Sequence, residues 1–336
     1  MSPVQRSGGV LTVVDQDVEL SFVSTVPRNL VHRAAICEVF LTDSVKTTDE
    51  RFVLAAQLPR VHSYYSDQVA SRPVYDPLLL TEAVRQAAIF VAHRYLGAPP
   101  ADKFVYNTSD LRICDPDALA VTELPGHLLL DATLTATKRR GDVVVGLALA
   151  VALRVDGVVA GSMDITIQWM PPAVWDGLRD RARAGLDPAH DRAHSLDTRL
   201  RAHRVGRLLD PNVVLGRFAA TGDTLTANVL VDRSHPALFD HPLDHIPGML
   251  LFEALRQAGA LAAYELNGSA PSRLTLVGCR AEFTRFGEFE LPTAAHTTLL
   301  PAPGPGRTAF ALDVRQDDAT IARGEVEFAA LAWRER

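Results

Sequence analysis

Two short stretches of this chain carry the same three polar residues in otherwise apolar surroundings. Leu251-Phe252-Glu253-Ala254-Leu255-Arg256-Gln257-Ala258 matches Leu80-Thr81-Glu82-Ala83-Val84-Arg85-Gln86-Ala87 at a constant offset of 171 residues. On a helix, a carboxylate and a guanidinium three positions apart share a face and can pair. Glu253 has the chemistry of a general base for an attacking hydroxyl. Arg256 can bind phosphate through its planar fork or orient the carboxylate. The same spacing also suits a purely structural ion pair. Glu82 and Arg85 repeat the pattern, and the spacing leaves open whether Glu82 meets a histidine of the second half or Arg256.

The residues around these stretches widen the chemistry. Gly248 opens the second helix, so amides at that helix start point outward with partial positive charge and can hold an oxyanion. The equivalent position in the first copy is Pro77, which has no N–H. This asymmetry assigns the chemistry to the second helix. His241 and His245 lie in the Pro-containing loop before Gly248. His241 can protonate a leaving thiolate or assist attack, and His245 can hold the loop or contact substrate. Pro242 and Pro247 argue against a helical metal-chelating pair, and no metal site is expected. Arg60, His62, Tyr64 and Tyr65 form a polar, aromatic loop before the first helix, either a plain surface loop or part of a phosphate or acyl pocket.

These groups need helices and sheets to position them. Asp76-Pro77 has the residues of a helix start, an aspartate cap followed by a first-turn proline, and predicts a helix running to about Tyr95. Strand-like runs cover Phe52–Leu58, Phe104–Ile113, Leu128–Thr137, Val143–Val155 and Val158–Gln168, with Asp156-Gly157 as a hairpin turn. The second half repeats the order: a helix over 248–266, then strands near Arg273–Phe283, Phe289–Leu300, Arg307–Val314 and Ala319–Ala330. Val205-Gly206-Arg207 echoes Val31-His32-Arg33, and Arg233-Ser234-His235 echoes Arg60-Val61-His62. The lead-in, residues 1–28, reads as irregular with one short strand at Val10–Val14. The pattern predicts an α+β duplication, with repeats at 1–170 and 203–336 and a Pro- and charge-rich linker at 171–202.

Composition narrows the class. The chain has 336 residues, 47% hydrophobic and 22% charged, enough for two cores. A net charge of −6 argues against nucleic-acid binding. Cys37, Cys114 and Cys279 are too few and too scattered for a disulfide framework. Neither a secretory signal nor a membrane span is predicted, so the cytoplasm is the expected compartment.

The long helix followed by a meander resembles the hotdog fold, an antiparallel sheet wrapped round one helix. Phe239 to Ala254, with His241 before Pro247-Gly248 and then Glu253-Ala254, resembles the active-site segment of the 3-hydroxyacyl-ACP dehydratases, with a shorter loop. A wider resemblance is to the A-factor biosynthesis (AfsA-type) γ-butyrolactone synthases, which carry two fused hotdog repeats. It rests on Val31-His32-Arg33, Glu38 to Asp43, Asp76 to Leu80 with Glu82 and Arg85-Gln86, and Asp240-His241-Pro242 with Asp244-His245 through Gln257.

The resemblance implies transfer of a β-ketoacyl group from acyl-carrier protein to the hydroxyl of dihydroxyacetone phosphate, giving precursors of butenolide, butyrolactone or furan signals. It implies catalytic roles for Glu82, Glu253 and Arg256. No cofactor is implied beyond the phosphopantetheine of the carrier protein, and the fused repeats form a pseudo-dimer that can pair again as a homodimer. A dehydratase or thioesterase, or a non-catalytic acyl- or lactone-binding regulator, are the competing readings.

Overall fold

The computed structural model describes residues 6–7, 10–13, 18–69, 72–187 and 198–330. The chain divides into two compact units. One comprises Met1–Val61 with Leu79–Gly177, the other His62–Leu78 with Leu178–Arg336. The loop 62–78 therefore packs with the later half of the chain.

The first unit begins with β1 (Arg6–Ser7), β2 (Val10–Val13) and β3 (Val18–Ser21), a small antiparallel sheet. Among its described residues the lead-in thus holds three short strands where the sequence pattern shows one. Val18 and Leu20 of β3 bury themselves with Phe22, Val53, Ala55 and Leu129, so short strands gain their stability from a neighbouring sheet rather than from length. Then come β4 (Leu41–Lys46), β5 (Arg51–Leu58), α1 (Pro77–Tyr95), β6 (Lys103–Ile113), β7 (Gly126–Arg140), β8 (Val143–Val155) and β9 (Val158–Met170). The strands pair antiparallel in the order β4-β5-β7-β8-β9-β6. Asp156-Gly157 turns β8 into β9 with both residues at positive φ, the geometry that matches strand twist.

After α2 (Pro172–Arg183), the second unit contains β10 (Leu215–Thr221), β11 (Thr224–Val229), α3 (Gly248–Asn267), β12 (Leu274–Phe283), β13 (Thr293–Leu299), β14 (Arg307–Gln316) and β15 (Ala319–Ala330). Its order, β10-β11-β13-β14-β15-β12, is that of the first unit strand for strand. Part of the charged linker, residues 188–197, lies outside the described residues.

The duplication extends to close backbone contacts. A Cβ on Gly161 of β9 would lie 2.0 Å from the Arg112 carbonyl oxygen, and one on Gly324 of β15 would lie 2.1 Å from that of Arg280. Only glycine fits either crossing. Each unit is a hotdog: six antiparallel strands and one long, buried helix. Every residue of α3 from Met249 to Ala263 is buried, against β10 to β15 and the turn at Ala202–Val205. Among the described residues, no helix is long and apolar enough to cross a membrane.

Candidate active site

A helix with no polar face must satisfy any charge it carries from inside the fold. Glu253, fully buried on α3, does so completely. Its Oε1 accepts from Arg207 Nε at 3.0 Å, from Arg256 Nη2 and from Gln257 Nε2. Its Oε2 accepts from the Tyr64 hydroxyl at 2.8 Å, Arg207 Nη2 at 2.8 Å and Arg256 Nε at 3.0 Å. Each oxygen thus takes three donors. Burial opposes ionisation of Glu253, but the two guanidiniums outweigh it and hold the carboxyl well below the usual range. A carboxylate so saturated has no lone pair to offer an incoming proton. In this arrangement the Glu253 carboxylate fixes the Arg207 and Arg256 guanidiniums and the Tyr64 hydroxyl.

The loop 62–78 completes this cluster. Arg207, wholly buried, also donates through Nη1 to the carbonyls of Tyr64 and Asp67, and its guanidinium stacks over the Tyr64 ring at 4.5 Å. The Asp67 carboxylate accepts from the Leu208 and Leu209 amides and from Asn212 Nδ2. Burial, reinforced by Glu253, pushes the Tyr64 hydroxyl up, so it remains a donor.

The first unit contains the same cluster in simpler form. Glu82 accepts from Arg33 Nε at 3.0 Å, Arg85 Nε at 2.8 Å and Gln86 Nε2 at 2.8 Å. Burial raises its carboxyl, yet Arg33 and Arg85 bring it down to about 2. Gln86 bridges the Phe40 amide and the Glu38 carbonyl, and Gln257 bridges the Val214 amide and the Asn212 carbonyl. Arg33 and Arg207 are the anchors that sequence reasoning missed. Their signal was present in the two echoing tripeptides that contain them.

The remaining candidates are dispersed. His62 Nδ1 accepts from the Tyr64 and Tyr65 amides, as His235 Nδ1 does from Ala237 and Leu238. Both histidines therefore shape turns. Tyr65 is buried beside the Tyr64 and His62 rings, whereas Arg60 is exposed. His245 lies 2.6 Å from Asp244, which Arg179 of α2 ties to the loop along with Glu288. The His241 side chain is 37% exposed, with Nδ1 3.5 Å from Asp240. Gly248 is the first residue of α3, after Pro247, and no side chain caps that helix start.

Arg256 uses Nε and Nη2 on Glu253 and spends no hydrogen bond through Nη1. It lines a cleft of about 30 Å³ in the second unit together with Asp76, Gln68, Gly206, Ala260 and Phe328. The site thus has a fixed anion at Glu253 and, lining the cleft, an arginine whose Nη1 makes no hydrogen bond. Among the described residues, no group of three or more His, Cys, Asp or Glu side chains is placed to hold a metal ion.

Two hotdog units, each built round a buried glutamate held by two arginines, define a double-hotdog protein. The A-factor biosynthesis hotdog domain matches twice, over residues 14–171 and 189–332, and the chain belongs to that family. A 2-oxo-3-(phosphooxy)propyl 3-oxoalkanoate synthase of Streptomyces virginiae is 38% identical over 89% of this chain and 95% of its own length. One of the same name from Streptomyces coelicolor is 33% identical, over 88% and 89%. A crystal structure of a putative oleoyl thioesterase from Lactobacillus plantarum superposes with a TM-score of 0.52 at 14% identity, covering 84% of this chain and 97% of that one. That likeness is one of fold alone.

Proposed function

We propose that this chain is a 2-oxo-3-(phosphooxy)propyl 3-oxoalkanoate synthase. The observation that carries the reading is the 38% identity to the Streptomyces virginiae synthase along nearly the whole of both chains. The product's name describes an ester between a 3-oxo acid and the hydroxyl of dihydroxyacetone phosphate. The acyl group arrives as a β-ketoacyl thioester on the phosphopantetheine arm of acyl-carrier protein, in the cytoplasm, and the enzyme needs no cofactor of its own. The reaction joins the hydroxyl oxygen to the thioester carbonyl carbon and releases a thiol.

Within this reading, Arg256 offers its unused Nη1 to an anionic oxygen of the acceptor, and Glu253 holds that guanidinium in place. Glu82, Arg85 and Arg33 form the matching support in the first unit. The amides at Gly248 are donors for the tetrahedral oxyanion, and His241 is the acid that meets the departing sulfur. His245 holds the loop beside it.

The test is direct. Purified protein, a 3-oxoacyl-carrier protein and dihydroxyacetone phosphate are combined, and the products are resolved by mass spectrometry. The phosphorylated ester is expected. Free 3-oxo acid formed at the same rate with or without the acceptor would identify a thioesterase instead.

A further inference from the structure

The proposed reaction must take a proton from the acceptor hydroxyl, and Glu253 has no oxygen free to receive it. Asp76 has one. Asp76 is 1% exposed, and its two oxygens differ sharply. Oδ1 accepts the Leu78 amide at 2.9 Å, the cap of α1. Oδ2 is buried without a hydrogen-bond partner. The nearest cation is Arg207, whose Nη1 lies 3.8 Å away. A buried carboxylate oxygen with no donor is costly, because nothing replaces the water it has lost. Such a group calls for an explanation beyond capping, which needs only Oδ1.

The cleft provides one. Asp76 and Arg256 both line it, so the residue that carries a carboxylate oxygen without a donor and the residue whose Nη1 has no acceptor border the same space. About 30 Å³ admits a water-sized group, such as a hydroxyl, rather than a whole substrate. We propose that Asp76 is the catalytic base of the acyl transfer, taking the acceptor's hydroxyl proton on Oδ2. As the proton moves, the hydroxyl oxygen bonds to the thioester carbonyl carbon. The carbon–sulfur bond then breaks and the thiolate leaves with the electron pair, taking its proton from His241. Asp76 gives its proton to solvent and His241 recovers one from solvent, so both return to their starting forms. Burial also raises the Asp76 carboxyl, against the pull of Arg207 and Arg256 and with the push of Glu253, which makes it a stronger base than an exposed aspartate. Tyr64, the other titratable group near it, stays protonated.

This assignment rests on the synthase reading. The experiment compares wild type with Asp76→Asn, whose amide oxygen can still cap Leu78, in ester formation from a 3-oxoacyl-carrier protein and dihydroxyacetone phosphate. A fall in kcat of about 100-fold or more, with KM for the acceptor little changed, is expected. The same substitution removes a buried charge, so D76N should melt no lower than wild type at neutral pH. Ester from both proteins at similar kcat overturns Asp76 as base and leaves the synthase reading intact. No ester from wild type overturns both. Should D76N fail to fold, the wild-type pH profile decides. An acid limb above the ordinary aspartate range of about 4 supports the assignment, and a rate flat from about pH 4 to about pH 7 overturns it.

Discussion

The Tyr64 hydroxyl donates to Glu253 Oε2 over 2.8 Å, although 189 positions separate the two residues. With Arg207 over its ring, Tyr64 joins the loop before α1 to the buried charge of α3. Removing that hydroxyl leaves Glu253 ionised and held by both arginines, but one donor short. A hydrogen bond to a charged group contributes about 1.5–3 kcal/mol. Tyr64→Phe should lower the urea midpoint accordingly while the ester is still made. An unchanged midpoint would show that this hydroxyl adds nothing to stability.

Glu253→Gln separates anchor from base. It leaves Arg207 and Arg256 with only Asp76, 3.8 Å from Arg207, as a nearby counter-ion, and breaking a buried pair from one side costs about 3–5 kcal/mol. As an anchor, Glu253 should therefore take thermal stability and activity down together. A variant that melts like wild type yet makes no ester would restore Glu253 as the acid–base group.

The first unit should reveal itself in acid. Glu82 is held down to about 2 against an ordinary value of 4.5, so folding favours its ionised form. The stability it supplies is complete above the unfolded value and is lost as pH falls from there towards 2. This contribution is about 3 kcal/mol. Urea midpoints measured down that range should fall more steeply for wild type than for Glu82→Gln. Parallel curves would contradict the ion-pair geometry at Arg33 and Arg85.

Local chemistry made much of this fold legible. Asp76-Pro77 marks the start of α1, and Asp156-Gly157 marks the β8–β9 turn. The repeated Glu-x-x-Arg-Gln signals two copies before any strand is assigned. The strands β4, β10 and β11 were harder. Polar residues such as Asp43, Arg217 and Thr226 interrupt their apolar runs, and pairing rather than pattern holds them. Within the site, the helical pairs could be read because three-residue spacing is local. The second arginine of each cluster, Arg33 or Arg207, arrives from a loop far away in the chain, so no spacing rule points to it. Nor does chain order disclose that residues 62–78 pack with the second unit, which is why Tyr64 could be read only as part of a surface or pocket loop and Asp76 only as a cap.

Two glycines of α3 make opposite predictions, and together they test whether Gly248 serves the substrate or the fold. At Gly259, a Cβ would lie 2.4 Å from Val326 Cγ2 and 2.9 Å from Phe328 Cε2, so the helix rests directly on β15 there. Gly259→Ala must push helix and strand apart, at a cost of about 1–3 kcal/mol that outweighs the better helix propensity of alanine. At Gly248, the nearest atom to a Cβ is Phe283 Cζ at 3.7 Å, an ordinary contact. Gly248→Ala should therefore fold and melt like wild type. If the acyl group needs close access to the amides of that first turn, the same methyl will obstruct it. Ester formation should then drop several-fold in G248A at unchanged melting temperature, with the loss mainly in kcat because the oxyanion forms only during reaction. Full activity in G248A would remove the helix start from the catalytic machinery. A destabilised G248A would instead make Gly248 a requirement of the turn.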